Sequence, residues 1–565
     1  MTEPTKPPGS GRAALVGLLL ILAVWAIVYL PGLKTLPLCD PEESRCAVTV
    51  ANMLSTGDSL VPQLGGRPYL EKPPLFFWLA AAGTRLTGEL ELGGRLVSAL
   101  AALGMALAAG VLGRRMFSSL AGVIAALAVL VCVEVFALGR WYRMEMLFTF
   151  LMVMAVACFW LGRSRRAGGR TARLGFFLFL ALATLTKGPL GVLLPLLVIV
   201  AYLLVSGQWR RLVELLYLPG LALLALLAAP WFVYMTLKFP GDFVQEFFVG
   251  SHLDRAMQGF EGNIMPPGFY LLVLAVGLLP WTLLLPAMIR RSFPWARLVE
   301  CSPQLVLRTF SVRPAVLMLW LWAVTVVLFF ELSRTKFLHY ILSAFVPLSI
   351  LAGEYLAALI AQGESSAKDR LFRSSQWAAL LGGIVLAAGF PIAELRLTGT
   401  DTWALVMVPA ALASSLIILY SIRKARPKVF VAGVVVGMVF LSLYVSLHAM
   451  PRIYSRLSLK QEGLAARERL RSNEEVYVVG GKRWSLIVYA GRPDAVRLSM
   501  QQAEDFLHHL DRPVALLMEE TDELPQLTKT SALVRFSEPV WLSRQVVLLR
   551  VRPLPATATA TAPER

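Results

Sequence analysis

Charge is scarce in this chain of 565 residues: Asp, Glu, Lys and Arg together make up 16% of it, against 57% hydrophobic residues. Soluble domains carry about 25% charged residues, so an ordinary water-soluble globule is excluded. Cysteine is scarce as well. Cys39, Cys46, Cys132, Cys158 and Cys301 show no CxxC spacing, so neither a thiolate zinc site nor a disulfide framework is indicated. Cys39 and Cys46 would bridge only if exported, and the expectation is that they stay free. No small-x-small cleavage site closes the first apolar run, which therefore reads as a retained span and not a removed signal. No internal repeat is visible, which counts against a transporter built from two similar halves.

What the chain has instead is hydrocarbon. A membrane span takes ~20 apolar residues. Runs of that kind fall near 13–30, 94–112, 118–138, 145–162, 174–187, 189–206, 213–235, 269–289, 315–332, 338–361, 377–394, 402–420 and 429–449. The sequence thus predicts a polytopic α-helical membrane protein with about 13 spans. The stretch 75–87 is apolar but too short to cross, and is expected along the membrane surface.

The formal net charge of +18 falls in short clusters between the runs, a pattern of membrane topology and not of nucleic-acid binding. Lys6 and Arg12 precede the first run, which places the N-terminus inside. Alternate connections then carry Arg114 and Arg115, Arg163 to Arg173, Arg210 and Arg211, Arg290 to Arg297, Lys368 to Arg373, and Arg423 to Lys428. By this rule the long connections 31–93 and 236–268, and the C-terminal part, lie on the outer face.

Beyond about 450 the composition changes. The stretches 475–481, 486–491, 513–519 and 545–552 read as short strands and 499–510 as an amphipathic helix. A small soluble α/β domain is predicted over 451–553, after a membrane domain over 1–450. The low-complexity tail 554–565 is expected to be disordered. His508 and His509 are expected at the surface.

Ionisable side chains concentrate in the outer connections. Glu42 and Arg45 are three apart, so on one helix they share a face. Glu71 and Lys72 follow a Gly65-Gly66 turn and precede Pro73-Pro74, which suits a helix start. Arg143 and Glu145 stand at the mouth of a span, where ionisable groups are costly enough to mark sites. Lys187 lies between two apolar runs, and Lys336 and Tyr340 stand at a further outer corner. Each admits a plainer reading: solvated loop charge, local pairing of Arg143 with Glu145, or lysines snorkelling to water. Together, carboxylates, cations and aromatics at the lipid boundary suit a phosphate-bearing lipid. In the connection 236–268, His252 with a carboxylate such as Glu71 is a candidate pair for a divalent cation.

These pieces resemble a known family: integral-membrane glycosyltransferases that use polyprenyl-phosphate sugars, among them protein O-mannosyltransferases and, more closely, lipid A aminoarabinose transferases. The resemblance is carried by DPEESR (40–45), the run 54–82 with GGRPYLEKPPLFFWL, RMEMLFTF (143–150), LTKGPLGVLLP (185–195), the FF and SH elements at 247–255, LPWTLLLP (279–286) and KFLHYILSAFVPL (336–348). It implies a glycosyltransferase type C (GT-C) fold in the bacterial inner membrane. It also implies inverting transfer of a sugar from a polyprenyl-phosphate donor to a lipid or protein acceptor, among membrane lipids and without nucleic acid.

By resemblance Glu42 is the catalytic carboxylate and Glu145 a second acid, each standing where the family commonly has Asp. Glu43 and Arg45 are partners of Glu42, and Lys72 is a phosphate ligand. Tyr69, Arg143, Lys187, Lys336 and Tyr340 are expected to contact substrate, and Glu71 with His252 to form the cation site. Two other classes compete: a lipid or sugar transporter or flippase, and a non-catalytic membrane scaffold.

Overall fold

The computed structural model describes residues 10–553, except 164–168, 255–256, 258–262, 294–312, 364–368, 399–403, 482, 520–526, 528–533, 538 and 544–545. Cys301 and the tail 554–565 lie outside the described residues. The chain begins with α1 (Ser10–Tyr29), α2 (Glu42–Thr56), the hairpin β1 (Gln63–Leu64) and β2 (Arg67–Pro68), and α3 (Leu75–Thr87). Then come α4 (Leu90–Met116), α5 (Ser119–Leu130), α6 (Val133–Leu138), α7 (Met144–Gly162), α8 (Gly169–Lys187), α9 (Leu190–Val205) and α10 (Leu218–Lys238). It forms two compact units. One comprises Met1–Leu33, Glu71–Phe76 and Arg95–Ala449; the other comprises Lys34–Leu70, Phe77–Gly94 and Met450–Arg565.

Among the described residues nine helices are long and apolar enough to cross a membrane, or ten if one bent pair is a single span. The expectation of 13 spans is therefore corrected, and three runs account for the excess. The stretch 118–138 is two short helices, α5 and α6. The run 174–187 lies in α8, whose Arg170, Arg173 and Lys187 lower its hydropathy, and α9 has only 16 residues. The run near 269–289 is the bent pair, Phe269–Gly277 and Trp281–Ser292, turned by 106°.

Two of these irregularities sustain each other. Backbone groups freed at a break inside a bundle need partners, because hydrocarbon supplies none. Here the Val133 N–H donates to Leu279 O at 3.2 Å and Cys132 Sγ to Gly277 O at 2.8 Å. The Trp281 indole returns a bond to Ala128 O at 3.0 Å. The break between α5 and α6 thus satisfies the break at 278–280.

Two fully buried arginines hold the end of α1. Arg140 donates to Val28 O and Tyr29 O at 3.2 and 2.7 Å, and Arg95 to Leu33 O at 3.0 Å. Cations favour the negative end of a helix, so these side chains serve the fold.

In the second unit a sheet is built from β3 (Val476–Val479), β4 (Val496–Leu498), β5 (Val514–Met518), β6 (Val534–Phe536), β7 (Val540–Trp541) and β8 (Val547–Pro553). Its order is β4-β3-β5-β8-β6, with β7 on β8. β3 runs parallel to both β4 and β5, while β8 is antiparallel to β5 and β6. Every residue of β5 is buried, as suits a strand covered on both faces. Ala515 and Leu517 pack with Val478, Leu486, Ile487 and Val48 of α2, whereas Leu516 and Met518 pack with Leu498, Ala503 and Leu507.

The expected helix at 499–510 is present as Met500–His508, opened by a capping box of Ser499 and Gln502. One expectation fails: the run 486–491 belongs to the helix Ser485–Tyr489. Gly480 and Gly481, at φ of 84° and 40°, turn the chain out of β3 into that helix. A short apolar run does not distinguish a strand from a buried helix.

Candidate active site

Charged side chains from separated parts of the first unit line one cavity. Its wall takes Glu71 and Lys72 from the segment before α3, Glu145 and Thr149 from α7, and Lys187 from the end of α8. Ser251, His339, Tyr340 and Ser343 complete the polar part. Local sequence explains the placements. Glu145 lies in the first turn of α7, where the helix dipole favours a carboxylate. Lys187 lies in the last turn of α8, where it favours a cation. Gly188, at φ 74°, closes that helix and Pro189 opens α9.

Glu145 is the hub. Arg143 grips it as a fork, Nε to Oε2 at 3.0 Å and Nη2 to Oε1 at 3.1 Å. Lys187 Nζ and His339 Nε2 approach Oε1 at 3.7 and 3.5 Å. The carboxylate is 6% exposed, so these neighbours offset much of its desolvation. Lys187 also lies over the rings of Phe148 and Tyr340, at 5.3 and 5.5 Å. Lys72 and Lys187 both line the cavity, and Arg143 stands behind Glu145. Such a cavity is suited to an anion.

Glu71 has acidic company: burial, then the charges of Glu71 and Asp242, hold the Glu246 carboxyl above its ordinary pKa. The backbone of His252 lies in a π-helical stretch, Val244–Asp254, but its side chain is outside the described residues. Among the described residues no three His, Cys, Asp or Glu side chains gather to hold a metal ion. The expected pairing of Glu71 with His252 therefore lies outside the described residues.

Lys336 is turned away from the cavity lining. Its ammonium meets Met265 O at 3.4 Å and Glu331 at 3.7 Å, and its N–H donates to Asn263 O. It fastens the connection 263–268.

The remaining candidates belong to the second unit. Glu42 and Arg45 pair at 2.7 Å in the first turn of α2, both half-buried. Glu43 is buried and accepts the Cys39 N–H at 3.0 Å, bracing the helix start. Tyr69 is buried, its ring 6.4 Å from that of Phe77. Cys39 is half-buried and Cys46 buried.

Sequence reasoning assigned no role to His339, Thr149, Ser251 or Ser343. His339 was within reach, since it stands in the same KFLHY stretch as Lys336 and Tyr340. The hydroxyls carried no signal. Ser251 Oγ is buried and has no hydrogen-bond partner among the described residues, in the wall of a polar cavity.

Comparison with known proteins follows the same lines. The family described as dolichyl-phosphate-mannose-protein mannosyltransferase matches residues 71–234. An undecaprenyl phosphate-alpha-4-amino-4-deoxy-L-arabinose arabinosyl transferase of Aeromonas salmonicida is 32% identical over 394 residues, 66% of each chain. The protein of the same name from Pseudomonas aeruginosa is 32% identical over 355 residues, 62% of this chain and 61% of the other. The chain thus covers just under two thirds of the length of these relatives. In fold, the crystal structure of ArnT from Cupriavidus metallidurans bound to undecaprenyl phosphate superposes with a TM-score of 0.75. The identity is 22%, and 96% of this chain and 98% of that one are covered. The chain is therefore a polytopic membrane protein of GT-C fold, similar in sequence to these arabinosyl and mannosyl transferases.

Proposed function

We propose that this protein transfers a sugar from a polyprenyl-phosphate donor to a lipid or protein acceptor, inverting the anomeric centre, at the periplasmic face of a bacterial inner membrane. The names of the relatives support an undecaprenyl-phosphate carrier. The alternation of basic connections supports a cytoplasmic N-terminus, with the connections 31–93 and 236–268 and the domain 451–553 outside. The observation that carries the reading is the cavity holding Lys72, Lys187 and the Arg143–Glu145 pair.

Breaking the bond between sugar and lipid phosphate develops negative charge on the leaving oxygen, and cations already in place stabilise it without reorganisation. Lys72 and Lys187 take that role. Glu145, clamped by Arg143, keeps Lys187 and His339 in position and is not the attacking base, since its oxygens are committed to three neighbours. Ser251 Oγ donates a further hydrogen bond to the bound donor. Glu42 remains the carboxylate for the acceptor: general base to an alcohol, or orienting charge for an acceptor already ionised.

Purified protein incubated with radiolabelled polyprenyl-phosphate sugars and membrane lipids should yield labelled lipid or protein product, and Glu42→Gln should abolish it for an alcohol acceptor. No product under any donor and acceptor combination would refute the reading. Wild-type rates in the Gln variant would remove Glu42 from the chemistry.

A further inference from the structure

The sheet of the second unit has an arrangement that usually serves a ligand. Its chain starts at β3, moves to β4 on one side and then to β5 on the other, with all three strands parallel. Open α/β sheets bind their ligands at such a switch point, beyond the C-terminal ends of the strands. In this chain β3 is followed by the short helix Ser485–Tyr489.

Ser485 of that helix bonds to the acidic motif. The carboxylate of Asp40 accepts the Ser485 N–H at 2.9 Å and the Ser485 hydroxyl, and also the hydroxyl of Ser44. The Asp40 N–H donates to Leu457 O at 3.1 Å, and Ser485 Oγ accepts from the Leu459 N–H at 2.8 Å. Glu519, at the end of β5, pairs with Arg497 of β4 at 3.0 Å. Two residues before Asp40, the Leu38 N–H donates to Tyr489 Oη at 2.9 Å, and that hydroxyl donates to Glu91 at 3.0 Å. Further along α2, Asn52 donates to Pro493 O.

We infer that Asp40 is a positioning residue: its carboxylate, bonded to Ser485 and Ser44, fixes the first turn of α2 that carries Glu42 and Arg45. The sheet is then a brace for the acidic motif. The inference uses the role proposed for Glu42, but the latch itself can be tested without it.

Three variants of the full chain are compared in detergent: Asp40→Asn, Ser485→Ala and the double variant. Hydrogen exchange should rise at the amides of 39–52 in each, while exchange of α7 and α8 is unchanged. In transfer assays kcat should fall by about 10- to 100-fold, the scale of a displacement of ~1 Å, with KM for the donor unchanged. The double variant should be no worse than the poorer single one, because both changes open the same contact. Unchanged exchange at 39–52, or losses that multiply, would overturn the latch. A loss in Asp40→Asn as complete as that of Glu42→Gln, with exchange unaltered, would make Asp40 a reacting group instead. If the wild type transfers no sugar, the proposed function fails while the exchange data still decide the latch.

Discussion

At the scale of single residues the cavity makes separable predictions. In the proposed function Lys72 supplies charge to the donor phosphate, and a hydrogen bond to a charged group is worth ~1.5–3 kcal/mol. Lys72→Ala should therefore lower kcat/KM for the donor on the order of 10- to 100-fold, measured in initial-rate assays at varied donor concentration. Ser251 is a different case, because its hydroxyl has no partner among the described residues. Ser251→Ala should leave the melting temperature unchanged and raise KM by roughly 2- to 10-fold, the worth of one neutral hydrogen bond. A drop in melting temperature with KM unaltered would show that the hydroxyl serves the fold. The sequence exposed the charged half of this site because charge beside hydrocarbon is costly and so stands out. Glu145, Lys187 and Lys72 were legible on those terms. Lys336 carried the same signal and is spent on the connection 263–268, since composition does not say which way a side chain turns. Ser251 and Thr149 gave no signal, for hydroxyls are common in helices and loops alike.

At the scale of elements, local rules worked wherever a terminus or turn was chemically marked. Gly65-Gly66 makes the hairpin of β1 and β2, both glycines lying at positive φ, 60° and 74°. The turn also packs closely: a Cβ on Gly66 would stand 2.6 Å from Val496 Cγ2 on β4. Gly66→Ala combines a disfavoured backbone with a clash, so it should destabilise the second unit by ~1–3 kcal/mol, seen as a lower thermal midpoint in calorimetry. Gly57→Ala is the control. It shares the positive φ at 75° but meets nothing within 4 Å, and should cost less. Elements were misread where long-range partners decide. The run 118–138 is long enough to span, and only the bonds from Val133 and Trp281 to the other broken segment show why it divides. The first N–H of the helix Ser485–Tyr489 likewise bonds to Asp40, some 445 residues away in sequence, which no local propensity encodes.

At the scale of the whole molecule, the sequence separated hydrocarbon from soluble chain near 450, while the compact units follow contacts and draw residues 34–70 and 77–94 in with the C-terminal part. That grouping was illegible because polar connections are read as loops until the surface they pack on is known. It has a consequence for pH. Glu519 is buried at the end of β5, and burial pushes its carboxyl up to about 7, against the opposing pull of Arg497 and the Arg483 N–H. Burial likewise raises Asp40 above its ordinary value. Unfolded, Glu519 titrates near 4.5. Between those values the folded chain binds more protons than the unfolded one, so stability falls as pH rises. The contribution is complete below 4.5 and is lost as pH passes through 7. Calorimetry of the full chain should show the midpoint of the second unit falling from about pH 5 to about pH 8. Glu519→Gln, which cannot ionise, should flatten most of that slope, leaving the smaller part due to Asp40. Parallel curves for wild type and variant would mean that Arg497 outweighs burial and Glu519 stays ionised throughout.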